Sequence, residues 1–481
     1  MNQNKKTDEE IESYKNTNSD FGDYANFEDE EKRREVERYS FINNIEYTPD
    51  FKYPRLDVLI DNKKISKKKT RIIESVLELE AAKNNPNANT AELELYASFH
   101  ELRLKKILLV EAARNLCNPI ICTDYEINRA SFAKLNEETY GEFNKSLFLG
   151  IMDTEKNLVA EFEPLSELER SIKDELSLLF SRFETEGEKE EILLDEASMA
   201  KLHNFVMKRY STVLEAIPDT PDDVYYDASQ CAEIMNNTLI ANGLFDLGWS
   251  VVVDSKKSTV STSSAIKLIS LPGDTRRNAS ELRRLVVHEE EVHARRGQNG
   301  IETELDLLKL GTANYTDIEE GLGVILECAI SGNLDSPSFN RARDRYITAG
   351  LAIGVDGRPR DARETYEVLW RVLAIRRPEG GVLDEEAVYG AKLMAYKHIE
   401  NAFRGTQFWM RGVIYTKLKI YYEGLVKNAE FFREHIDTLD SVFDDLFIGK
   451  YDHTSRSEKA LVKAAIEHKK LHKKDAPTLT N

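Results

Sequence analysis

The stretch Val287-His288-Glu289-Glu290-Glu291-Val292-His293 constrains this chain more than any other. It lies in what reads as one helix and sets two imidazoles and a carboxylate within little more than a turn. Histidines four apart on an α-helix differ by about 40° around the axis, so both reach one ion. Here the gap is five, which on the same helix places them about 140° apart. For both to serve one ion, the helix must widen into a π-type turn or end near His293. Such a distortion is tolerated more readily at a functional site than elsewhere. The fold must then supply further ligands from another element. Glu320, in a later apparent helix, is the candidate.

Two imidazoles from one helix and a carboxylate from another are the usual build of a zinc peptidase site, with a fourth position left for water. A zinc metallopeptidase is therefore the leading reading. Glu289 directly follows the first histidine, where a general base would take a proton from the attacking water and return it to the leaving amine. Glu290, Glu291, Glu319 and Glu327 add charge, and one of them can hydrogen-bond a ligating imidazole; Glu319 and Glu327 are the supporting candidates. Crowded carboxylates raise one another's pKa, so Glu290 and Glu291 are expected to point mostly to solvent. The same residues also admit a purely structural reading, two exposed or salt-bridged histidines on a charged helix. Against it, the apolar Leu285, Val286 and Val287 favour an interior position, where unpaired His and Glu would be costly.

A chain of 481 residues can bury a full core, and two domains are expected. No apolar run approaches the roughly 20 residues needed to span a bilayer, and no signal-peptide core follows the acidic N-terminus. The formal net charge of −19 argues against nucleic acid or an anionic membrane as the main partner. Cys117, Cys122, Cys231 and Cys328 are scattered, which suits buried reduced thiols and a cytoplasmic protein. The Cys117–Cys122 spacing lacks the second pair of a metal knuckle.

Residues up to about 25 read as disordered, and Asn44 to Arg55 as an extended arm. Apolar residues at helical spacing run through Ile72–Ala82, Thr90–Arg114, Glu126–Leu149, Pro164–Phe183, Leu194–Ile217 and Asp227–Gly243. Trp249–Val253 and Ala265–Ser270 read as two strands of a hairpin beside the histidine helix, whose edge can pair with an extended substrate. The histidine helix starts at Ala279 or Ser280 without a full capping box. Asn299-Gly300 reads as its stop, followed by Glu302–Leu310 and the glutamate helix Ile318–Ile330. Helices continue to Phe431, and the lysine-rich tail from Ser455 is expected to fray.

The motifs resemble those of the tyrosine carboxypeptidase-like metallopeptidases, whose animal members trim the C-terminal tyrosine of α-tubulin and whose bacterial members carry a Gln-Glu-Gly-Leu-Ala motif. The resemblance rests on His288-Glu289-Glu290-Glu291-Val292-His293, Asn299-Gly300 and Glu319-Glu320-Gly321-Leu322-Gly323, with looser matches at Asn44–Pro54, Arg404-Gly405-Thr406, Thr416-Lys417 and Tyr421-Tyr422-Glu423-Gly424-Leu425. It implies that His288, His293 and Glu320 bind zinc and that Glu289 is the catalytic base. Glu291-Val292 stands where the family has Gly-Thr, Glu319 where it has Gln, Gly323 where it has Ala and Leu418 where it has Asp; these changes bear on substrate choice more than on hydrolysis.

A carboxypeptidase also anchors its substrate's terminal carboxylate, best with a buried cation. Arg404, Lys417 and Arg411 are the candidates, Tyr421 can donate a hydrogen bond there, and Tyr315 is a weaker candidate for packing on a substrate side chain. The expected fold is α+β and predominantly helical, a zincin-like core with a small sheet beside the metal-binding helix. The expected layout is an acidic N-terminus over residues 1–40, a helical region over 41–225, a catalytic domain over 226–445 and a lysine-rich tail over 446–481. The expected substrate is a peptide or protein C-terminus, with nucleic acid and membrane excluded. An endopeptidase or aminopeptidase on the same centre and a non-enzymatic helical interaction protein are the alternatives.

Overall fold

A computed structural model describes residues 38–44, 62–117, 124–183, 187–190, 194–257, 259–376, 383–403 and 405–474. The expected disordered N-terminus, most of the extended arm, Cys122 and Arg404 lie outside these residues. In chain order the helices are α1 (Asn62–Ala82), α2 (Thr90–Cys117), α3 (Tyr125–Tyr140), α4 (Lys145–Glu161), α5 (Glu167–Phe180), α6 (Glu196–Arg209), α7 (Ser211–Glu215) and α8 (Ala228–Ala241). Strands β1 (Ser250–Val253), β2 (Ser261–Ser263) and β3 (Leu268–Leu271) follow. Then α9 (Ala279–Val286), a π-helical segment (Val287–Ala294) and α10 (Arg295–Glu302) run on without a break. The remainder comprises α11 (Asp306–Leu310), α12 (Tyr315–Ser331), α13 (Pro337–Ile353), α14 (Ala362–Ile375), α15 (Glu385–Ala402), α16 (Ile420–His435), α17 (Leu439–Leu446) and α18 (Arg456–Lys474). The protein is thus predominantly helical with one small sheet, as expected. No helix among the described residues is long and apolar enough to cross a membrane.

The chain forms two compact units. One takes its described residues from Met1–Ile72, Arg103–Glu191 and Arg341–Lys419, the other from Ile73–Leu102, Ile192–Asn340 and Ile420–Asn481. In the first, Phe148, Tyr346, Tyr366, Tyr396, Phe403 and Phe408 are buried. Arg376 there bridges the buried carboxylates of Glu155 and Asp344. The guanidinium pairs with both carboxylates at once, which offsets the cost of burying them.

The second unit carries the metal motif. Asn278 and Glu281 form a reciprocal capping box that starts α9. The box therefore begins two residues before Ser280, the position first considered. The Asn299-Gly300 pair does not stop the helix, which continues to Glu302. Gly300 serves close packing instead, since a Cβ there would sit 2.3 Å from Leu308 O. The chain turns at Glu304, whose φ is 59°. Leu194–Ile217 likewise breaks at Tyr210, a buried residue with φ −104° and ψ 14°.

The sheet order is β1-β3-β2, so the expected hairpin between the outer two runs is corrected: β1 pairs parallel with β3. The linking segment is long enough to cross over, lay down β2 and return antiparallel through a turn at Lys267, whose φ is 52°. Asn236 on α8 covers the outer edge of β1, its amide bonding both Val251 O and Val251 N at 3.0 Å. The edge of β2 is the one left open, because no strand among the described residues pairs beyond it.

Helix α12 crosses α16 at a backbone-on-backbone contact. A Cβ on Gly321 would lie 2.1 Å from Gly424 C, and one on Gly424 would lie 1.8 Å from Asp317 O. Asn428 locks the crossing by donating to Ile318 O and Gly424 O. The described part of the tail, Arg456–Lys474, is a packed helix rather than a frayed end; residues 475–481 lie outside the described residues. Val462 and Ala465 of α18 are buried against Leu95, Leu307, Leu308 and Tyr451, and a valine or leucine fully buried in this way contributes about 1.5–3 kcal/mol.

Candidate metal centre

The π segment meets the geometric demand of the five-residue gap. Its i→i+5 bonding, seen where Arg295 N–H reaches Glu290 O, stacks residues five apart one turn above each other. The His288 and His293 rings consequently come together edge to face, with centroids 4.8 Å apart. Helix α12 lies against this segment and adds Glu320. One ligand atom each from His288, His293 and Glu320 falls within 4.8 Å of the others.

Both imidazoles are oriented from behind. Glu327 Oε1 holds His288 Nδ1 at 2.6 Å, and Glu319 Oε1 holds His293 Nδ1 at 2.8 Å. Each ring therefore keeps Nε2 for a metal. Ser338 donates to the second oxygen of Glu327. Glu319 also meets Lys450 Nζ at 2.9 Å and Arg296 Nη1 at 3.0 Å. Burial alone would raise the Glu319 pKa, but Lys450, Arg296 and His293 together hold it well below the usual carboxylate range. Burial alone would lower His288, yet Glu327, backed by Glu289 and Glu320, outweighs it and raises the imidazole to about 9. Metal binding at His288 therefore competes with a proton.

The donor set fits zinc. Two nitrogens and a carboxylate oxygen suit it, whereas magnesium and calcium take oxygen ligands. The His288 ring also occupies a cradle that a side chain at residue 323 would fill: a Cβ on Gly323 would lie 2.6–2.9 Å from three of its ring atoms.

Glu289 is 8% exposed and accepts a hydrogen bond from Thr262 Oγ1 on β2 at 2.5 Å. Glu290 and Glu291 do not point to solvent, as the crowding argument expected; they are 0% and 5% exposed. Thr238 and Asn242 donate to Glu290, Asn242 also donates to Glu291, and Arg295 lies 3.7 Å from Glu291. Burial raises both pKa values, and these donors satisfy the oxygens that water would otherwise serve.

Of the proposed anchors for a substrate carboxylate, Lys417 lies half-buried in a 3-10 turn of the first unit. Arg411, in the same unit, is exposed and paired with Glu364 at 2.8 Å. Tyr421 is half-buried on α16 of the second unit, and Tyr315 begins α12, its ring packed on Gly311. Sequence reasoning missed Thr262, Ser338, Arg296 and Lys450. Arg296 was within reach, three residues after His293 on the same helix. The others come from distant segments that no spacing rule connects.

No curated protein and no solved structure matches the chain. A family profile described as microtubule-associated tyrosine carboxypeptidase matches residues 186–471, which takes in the sheet, the π segment and every residue of the candidate metal centre. By that match over more than half its length, the chain belongs to the microtubule-associated tyrosine carboxypeptidase family.

Proposed function

We propose that the protein is a zinc-dependent peptidase that removes a C-terminal residue, aromatic by preference, from a peptide or protein. The observation that carries this reading is the convergence of His288, His293 and Glu320 beside a buried Glu289. When bound, zinc supplies Lewis-acid polarisation of a carbonyl and makes water a nucleophile at neutral pH. Glu289 takes the proton from the attacking water and delivers it to the leaving amine. Glu319 and Glu327 keep the imidazoles turned so that Nε2 faces inward. The family's name supports release of a tyrosine-like residue. Arg404, Lys417, Arg411 and Tyr421 are the candidates that the sequence motifs offer for the terminal carboxylate, and Arg411 is already paired with Glu364. Buried free thiols at Cys231 and Cys328 suit a reducing compartment such as the cytoplasm.

The test is a mixed-peptide digest read by mass spectrometry, with the native protein beside Glu289→Gln. Single-residue losses from C-termini, absent in the variant, are expected. Internal fragments would make the protein an endopeptidase on the same centre, and losses from N-termini an aminopeptidase. No cleavage, together with no zinc in the purified protein and no thermal stabilisation on adding it, would favour a helical binding module.

A further inference from the structure

Strand β2 is hydrogen-bonded to the metal-bearing helix, and the turn that leaves it packs closely on the same helix. Thr262 Oγ1 donates to Glu289 Oε2 at 2.5 Å. Two residues on, Ser264 sits over Gly297, where a Cβ would come within 2.0 Å of its hydroxyl oxygen. Thr262 looks toward the helix from β2, and Ser264, the first residue of the turn that leaves the strand, is buried against it as well. The strand therefore lies along the helix across Glu289, held close by the missing side chain at Gly297. Its other edge is open among the described residues.

A carboxylate in a wide turn has rotational freedom about its side-chain torsions, and only one orientation serves an incoming water. Among the described hydrogen bonds, the one to Glu289 comes from Thr262. The Thr262 hydroxyl occupies Oε2 and leaves Oε1 as the proton acceptor. Because the donor sits on the open-edged strand, a peptide pairing with β2 would lie beside the residue that aims the base.

We propose that Thr262 is a positioning residue for Glu289, fixing which carboxylate oxygen receives the proton and tying that choice to the strand on which substrate lies. This rests on the peptidase reading given above. Thr262→Val keeps the shape and removes the donor; Thr262→Ser keeps the donor. Both are measured against wild type and Glu289→Gln for kcat, KM, bound zinc and thermal midpoint. Loss of one hydrogen bond to a charged group predicts that kcat falls roughly 10- to 100-fold in Thr262→Val. KM should stay within about twofold, zinc content should be unchanged and Thr262→Ser should recover most of the rate. Undiminished kcat in Thr262→Val, equal losses in both variants, or loss of zinc would each overturn the assignment. Should Thr262→Val fail to fold, Thr262→Ala carries the same comparison. If wild type itself cleaves no peptide, the peptidase reading fails; if wild type is active, Glu289→Gln inactive and Thr262→Val normal, only the role of Thr262 does.

Discussion

Replacing Gly424 by Ala tests whether the helix crossing sets the position of Glu320. The new Cβ would begin 1.8 Å from Asp317 O and 2.5 Å from Asp317 C, both backbone atoms of α12. An ordinary contact needs at least about 3.4 Å, so α12 and α16 must part by roughly 1.6 Å. No flexible side chain can absorb this, and overpacking of that kind costs about 2–3 kcal/mol. In a unit of about 240 residues that lowers the melting midpoint by roughly 4–12 °C. If half the displacement falls on α12, Glu320 moves about 0.8 Å, well beyond the roughly 0.2 Å that metal–ligand distances tolerate. Zinc affinity, read by competition with a chromophoric chelator, should fall at least tenfold, with the midpoint followed by calorimetry. A variant melting within about 1 °C of wild type and binding zinc within twofold would refute the claim that this crossing holds the ligand in place.

Two further outcomes are expected. Lys450→Met leaves Glu319 with Arg296 as its remaining strong cation, so the grip on His293 loosens; zinc affinity should drop roughly 10-fold, and an unchanged chelator titration would count against it. His398 is buried, and burial followed by Arg345, Arg341 and Arg376 lowers its pKa to about 3, while Asp344, 3.9 Å away, is engaged by Arg376. The unfolded chain therefore binds the extra proton between about pH 6.5 and 3, and stability contributed by the neutral ring is lost as pH falls through that window. At pH 5 the loss is about 2 kcal/mol, so His398→Gln should lose about that much less than wild type between pH 7 and 5 in urea titrations; parallel losses would dismiss the histidine as the cause.

What could be read from the chain follows from how local each feature is. The His288–His293 spacing already required a widened turn or a helix end near His293, because five residues of α-helix would set the rings on different sides. Glu320 and the two supporting carboxylates were legible because they share one helix. Glu290 and Glu291 were misjudged because their partners, Thr238 and Asn242, come from α8, and no charge-counting argument predicts that approach. The sheet order was misread for a related reason: β1 and β3 have the pattern of a hairpin, and only the chain path through β2 makes them parallel. Gly300 had the composition of a stop, yet its lack of a side chain admits the Leu308 backbone. Fraying of the lysine-rich tail was a composition argument, overridden by the apolar stripe that includes Val462 and Ala465.

The five-residue spacing has one more consequence. Deleting any single residue between His288 and His293 would restore an ordinary α-helical repeat and, on paper, the more familiar histidine pair. Because five residues of the π segment and four of an α-helix each close about one turn, it would turn everything after the deletion by about 40° relative to His288, shifting Arg296 against Glu319 and Gly297 against Ser264. The extra residue is thus a phase setting for the whole helix: it aligns the ligands on one side and, about one turn after His293, the groups that brace them. A shortened motif should be the worse metal site, even though it looks the better one.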